Sequence, residues 1–254
     1  MDKNALTVVY NDLTTSLERQ KEALPDNFNK QRFVQNCMTV LQDGKVDFSK
    51  CEPRSIVRTL LKGSFLGLDF FNGECYAIPY GNQCQFQTDY KGEIKLCKRY
   101  SSNPIKDIYA KLVREGDVFE EEIVNGKQTI NFKPIPFNNE KVIGAFAVVM
   151  YKDGSMIYDT MSVEEMESTR RNFSKASNSK AWKETPGEMY KKTVLRRICK
   201  LIDLDFDNAE QVQAFEDGSD FDANKATEVT VVEAKDPFET VIDAENVVEI
   251  NTAD

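Results

Sequence analysis

The chain has 254 residues and a net charge of −9, with 41% hydrophobic and 30% charged residues and a mean hydropathy of −0.50. This composition supports a genuine core, and no apolar run approaches the roughly 20 residues needed to span a bilayer. Histidine is absent, which excludes H-E-x-x-H zinc sites and Ser-His-Asp triads.

The six cysteines, at 37, 51, 75, 84, 97 and 199, form no C-x-x-C pair and read as small core residues rather than a zinc ribbon, redox motif or disulfide framework. The start, Met1-Asp2-Lys3-Asn4, lacks the apolar stretch of a secretory signal, so a cytoplasmic protein without membrane contact is expected. Charge is unevenly placed. Residues 203–254 carry 16 acids against two lysines, a net of −14, which leaves +5 for residues 1–202. A mildly basic body with an acidic tail suggests nucleic-acid contact in one and an interaction segment in the other.

In chain order, residues 1–52 read as a helical N-terminal region. Phe33, Cys37, Val40 and Leu41 fall at helical spacing, as in a packed or oligomer-forming helix. Residues 53–202 read as a mixed core. Pro53 lies near a helix start, with Ile56, Leu60, Leu61 and Leu66 apolar. Two short strands, 74–80 and 83–90, flank a Gly81-Asn82 turn, and 91–99 reads as a helix. Further hairpins are expected about Asn125-Gly126 and Asp153-Gly154, and 142–151 is apolar enough for a central strand. Ser162 with Glu165 makes a capping-box pattern, and Thr185-Pro186-Gly187-Glu188 opens a helix expected to reach about residue 202. Residues 203–254 show no periodicity that commits to structure and read as a disordered acidic tail suited to partners.

Three basic groups stand out. Lys91, Lys95, Lys98 and Arg99 fall on one side of a helix, with Glu93 away from them. On the later helix, Tyr190, Val194, Leu195, Ile198 and Leu201 make a buried stripe. Lys192, Arg196 and Lys200 recur every four residues opposite it, flanked by Lys191 and Arg197. Like charges at that spacing cost roughly 0.2–0.5 kcal/mol per pair, which an anion such as phosphate offsets. Third, Arg170, Arg171, Lys175, Lys180 and Lys183 lie beside Phe173 and Trp182, an interleaving that suits a single strand. A plain solvated surface remains open for the cations, and a core role for Trp182, Phe86 and Tyr90.

No G-x-x-x-x-G-K-[ST] or G-x-G-x-x-G occurs. Asp203, Asp205 and Asp207 start like a calcium loop, but Asn208 stands where glycine is required and Ala214 where the bidentate glutamate is required. The Glu120-Glu121-Glu122 run reads as a solvated edge-strand cluster.

Gly73-Glu74-Cys75-Tyr76-Ala77-Ile78-Pro79-Tyr80-Gly81, then Gln85-Phe86-Gln87 and Tyr90-Lys91-Gly92, then Met189 through Arg197 after Trp182, resemble the RecT family in order and separation. The resemblance covers roughly 53–204. It implies an α+β fold, a small antiparallel sheet packed with helices, and an oligomeric ring or helical filament on DNA. It implies binding of single-stranded DNA and annealing to a duplex in phage-type recombination inside a bacterial host cell. No ATP or other cofactor is implied, Mg2+ being at most an aid to annealing. Its partners would be a 5′→3′ exonuclease and the host single-strand binding protein. Gln87, Tyr90 and Lys91, with Lys191 through Arg197, would line the DNA groove. The chain departs from many members where Ser101-Ser102-Asn103 replaces a glycine after the Lys91 helix. A rival reading is a metal-dependent nuclease using Asp89, Glu93, Asp153 or Asp159, although their spacing does not demand convergence. A third is a passive strand-protecting protein.

Overall fold

The computed structural model describes residues 1–174, 177–178 and 180–218. The described residues belong to one folded unit. The architecture is α+β, with two large cores that share one helix and a third, smaller cluster on the far side of the main sheet.

The first core gathers α1 (Lys3–Arg19), α2 (Lys30–Gln42), α3 (Pro53–Phe65) and the hairpin β1 (Cys75–Tyr80)–β2 (Gln83–Thr88). Asp2 and Asn29 cap α1 and α2 through their side chains. Pro53 occupies the first turn of α3, where its missing N–H costs nothing. The hairpin pairs Cys75 with Thr88 through Tyr80 with Gln83, and Gly81 supplies the positive φ of 62° that its tight turn needs. Cys75, Ala77, Cys84 and Phe86 press against α3, and the alternate side chains face outward. Phe33, Val34, Cys37 and Leu41 of α2 are buried in this core, so the N-terminal helices are packed onto the body.

α4 (Tyr90–Tyr100) joins the two cores, with Leu96 and Tyr100 in the first and Cys97 in the second. The second core lies under the antiparallel sheet of β3 (Ile105–Arg114), β6 (Val142–Tyr151) and β7 (Met156–Ser162), in the order β3-β6-β7. The central strand β6 is apolar because both of its faces are covered. Ala145, Ala147 and Val149 meet the helices, while Phe146 and Val148 meet a second hairpin, β4 (Val118–Val124)–β5 (Lys127–Lys133). That hairpin turns on Asn125 and Gly126, both at positive φ. α5 (Val163–Phe173) opens with the complete Ser162–Glu165 capping box. α6 (Lys180–Glu184) carries buried Trp182, and α7 (Pro186–Cys199) packs on β6, β3 and α4. All six cysteines are free and buried.

Two expectations change. α7 ends at Cys199 rather than near 202, and Leu201 is 63% exposed rather than part of the buried stripe. α8 (Ala209–Asp217) falls inside the segment expected to lack structure. Asn208 caps it, and Gln211 and Ala214 are buried. Residues 219–254 of that segment lie outside the described residues.

Candidate nucleic-acid interface

The junction of β2, α4 and α7 is built on charge. Asp89 caps α4 by accepting from the Lys91 amide at 3.2 Å, and Lys192 of α7 reaches the same carboxylate at 3.4 Å. One turn on, Glu93 accepts from the Thr88 hydroxyl at 2.9 Å and pairs with Arg196 of α7 at 3.2 Å. Arg196 also donates to the Thr88 carbonyl. Asp89, Glu93 and Arg196 are all nearly inaccessible. Burying such charges is tolerable only with partners, and removing one would strand the other. Gly92 lets α4 lie close to the chain entering β1, because a Cβ there would lie 2.1 Å from the Glu74 carbonyl oxygen.

The anticipated cations do not all face solvent. Arg196 is 4% exposed and forms part of the foundation, which corrects its placement on an exposed stripe. Two of the four α4 cations, expected to lack neutralising acids, receive them from other elements, and Arg99 finds a carbonyl. Lys95 pairs with Glu74 at 2.6 Å and donates to the Gly67 carbonyl. Lys98 pairs with Asp107 at 3.0 Å, and Arg99 donates to the Leu66 carbonyl at 3.2 Å. Arg197 grips Asp159 with two nitrogens and the Thr160 carbonyl at 2.7 Å. The hydrogen bond to Asp159 raises the guanidinium pKa further. Lys191 pairs with Glu188 of its own helix at 2.7 Å. Lys91 and Lys200 are exposed, and no ion pair of Lys91 occurs among the described residues. Gln87 and Tyr90 are half-buried, beside Asp89.

The third basic group splits. Arg170 pairs with Glu167, donates to the Ser177 carbonyl and stacks 5.2 Å from the Trp182 ring. Trp182 is buried against Tyr190, which settles it as core, as burial settles Phe86. Burial, then the hydrogen bond to Glu167, pushes the Tyr190 phenol up to about 12. Arg171 and Phe173 are exposed; Lys175 lies outside the described residues. The carboxylates of the nuclease reading are dispersed. Asp89 and Glu93 face Lys192 and Arg196, Asp153 holds its own turn through Ser155 and Asn103, and Asp159 holds Arg197. No group of three potential ligands converges among the described residues.

Sequence reasoning missed the outward face of β1–β2. Tyr76 is 42% and Tyr80 39% exposed, opposite Gln87 and Gln83 respectively, with Gln85 exposed between them. Burial and the neighbouring Asp89 raise the Tyr76 phenol pKa. The available signal was the period of two: Tyr76, Ile78 and Tyr80 alternate with the small residues of the buried face. The face offers flat rings and amides, with Lys91 and Lys192 at one end. It suits a ligand with stackable bases and phosphates.

The chain is 29% identical to Protein RecT of Escherichia coli (strain K12) over 210 residues, covering 79% of this chain and 76% of that protein. It is 28% identical to the uncharacterized protein YqaK of Bacillus subtilis (strain 168) over 153 residues, covering 59% of this chain and 51% of that protein. The model of the RecT family matches residues 31–251, most of the chain, and so the chain belongs to the RecT family.

Proposed function

We propose that the protein binds single-stranded DNA and anneals complementary strands without ATP, in recombination of the phage type. The observation that carries this is the outward face of β1–β2, with Tyr76, Tyr80, Gln83, Gln85 and Gln87 leading to Lys91 and Lys192. Aromatic faces take any base, and lysines take any phosphate, so binding is independent of sequence. The protein contributes concentration and alignment of strands rather than a covalent step. Subunits join as a ring or filament, and the strand is supplied by a 5′→3′ exonuclease and handed over from the host single-strand binding protein.

Annealing is tested by stopped-flow mixing of quenched fluorescent oligonucleotides, with no nucleotide present. Pairing should be faster with protein than without it, because stacking gains of roughly 1.4 kcal/mol per base-pair step select long matches once strands are aligned. Tight binding that slows pairing would make the protein a strand protector. Cleavage on adding Mg2+ would favour the nuclease reading.

A further inference from the structure

We infer that α3 carries a second phosphate track, formed by Arg54, Arg58 and Lys62, that extends the nucleic-acid interface along the outer edge of β2. The inference rests on the strand-binding reading and names residues outside the site described above.

Nine of the thirteen residues of α3 are buried. The other four are Pro53, Arg54, Arg58 and Lys62. Beyond its opening proline, the accessible side of this helix is therefore cationic only. Its three cations recur every four residues, a rise of about 6 Å per step. Like charges so placed repel on a helix, and an anion laid along them relieves the repulsion. The other faces of α3 are occupied by the first core.

The position of the stripe gives it a ligand. Arg58 reaches the Gln83 side chain at 3.5 Å, at the turn end of β2, and Thr59 between the cations donates to the Cys84 carbonyl at 2.8 Å. At the other end, Lys192 meets Asp89, just past Thr88. The cations of α3 and α7 thus bracket a strand of about 20 Å, along which Gln85 and Gln87 present amides. A backbone crossing the hairpin would meet phosphate-binding groups at both ends.

Lys62 already holds an anion. Asp217, in the last turn of α8, pairs with it at 2.7 Å. The adjoining Gly218 carbonyl accepts from the Thr88 amide at 3.0 Å. Both partners of the bridge are about one-third exposed, so it is weak and screened by salt. Asp217 acts as a resident counter-anion that an arriving phosphate displaces. Glu52, just before the helix, accepts from Asn82.

The test measures binding of labelled oligo-dT by fluorescence anisotropy across a salt series, on the full chain. Arg54→Ala with Arg58→Ala should weaken binding and reduce the slope of log K against log salt by about 1.4, two contacts at roughly 0.7 each on a single strand. Arg54→Lys with Arg58→Lys should keep the slope. Asp217→Asn should tighten binding, the opposite sign. An unchanged slope in the alanine variant, with its melting curve matching the parent, would overturn the track and leave the stripe to an acidic protein segment. Looser or unchanged binding by Asp217→Asn would overturn the counter-anion role. If the parent chain itself binds no oligo-dT, the strand-binding reading fails instead, so the two failures are distinguishable.

Discussion

The hairpin β1–β2 rests Cys75, Ala77, Cys84 and Phe86 on α3 and turns tyrosines and glutamines outward. The hairpin β4–β5 rests Phe119, Ile130 and Phe132 on its sheet and turns Glu120, Glu122, Thr129 and Asn131 outward. Both use a glycine-containing two-residue turn. Their foundations differ. The first is anchored at Thr88 and Asp89 by a buried charge network from α7, and the second by an aromatic cluster in which Phe119 and Phe132 lie 5.1 and 5.0 Å from Phe146. Their electrostatic surroundings differ as well. Lysines flank the first, while the second carries Glu120 and Glu122 along the middle of its outward face, with Lys127 and Lys133 at its ends. Shape alone does not distinguish two exposed hairpins; the side chains they turn outward do: tyrosines and amides on the first, two glutamates between two lysines on the second.

The largest effects should come from the foundations. Arg196→Ala strands the Glu93 carboxylate in the interior and should cost about 3–5 kcal/mol. Phe146→Ala should cost a similar amount, about 3–5 kcal/mol, through the cavity it leaves. Denaturant unfolding measures both. At temperatures where both variants stay folded, only Arg196→Ala should also lose affinity for DNA. Equal loss of binding in the two would break the comparison.

Smaller effects should follow at the outward face. Tyr76→Ala and Tyr80→Ala should each weaken oligo-dT binding by roughly 1–3 kcal/mol, as loss of a stacked base does. Their unfolding curves should stay near the parent's, since both rings are substantially exposed. Titration by anisotropy with parallel melting separates stacking from packing. The smallest effect belongs to Glu120→Gln with Glu122→Gln, which should alter stability by no more than about 0.5 kcal/mol per site. It should leave DNA affinity unchanged. A clear gain in affinity would show that a strand passes the second hairpin too.

Much of this organisation was legible in the sequence, and the failures have physical causes. Gly81-Asn82, Asn125-Gly126 and Asp153-Gly154 marked three hairpins because few residues accept the backbone such turns need. The Ser162–Glu165 box and Pro186 marked two helix starts. What a helical wheel could not reveal is what crosses it. Lys192, Arg196 and Lys200 share a side of α7, yet α4 and β2 cover the middle of that side and bury Arg196 while leaving Lys200 exposed. The acids that neutralise Lys95 and Lys98 come from 21 and 9 residues away in sequence. α8 was hidden by its acidic neighbourhood, although Asn208 was a readable cap.

The most direct measurement places a tryptophan on each hairpin in turn, Tyr80→Trp on the first and Ile123→Trp on the second. Ile123 is 64% exposed, and the single native tryptophan, Trp182, is buried and provides a constant background. On adding oligo-dT, the Tyr80→Trp fluorescence should be quenched by stacking, with a midpoint that moves with salt, and the Ile123→Trp fluorescence should not change. Quenching at Ile123→Trp with none at Tyr80→Trp would contradict the assignment of the strand to the outward face of β1–β2.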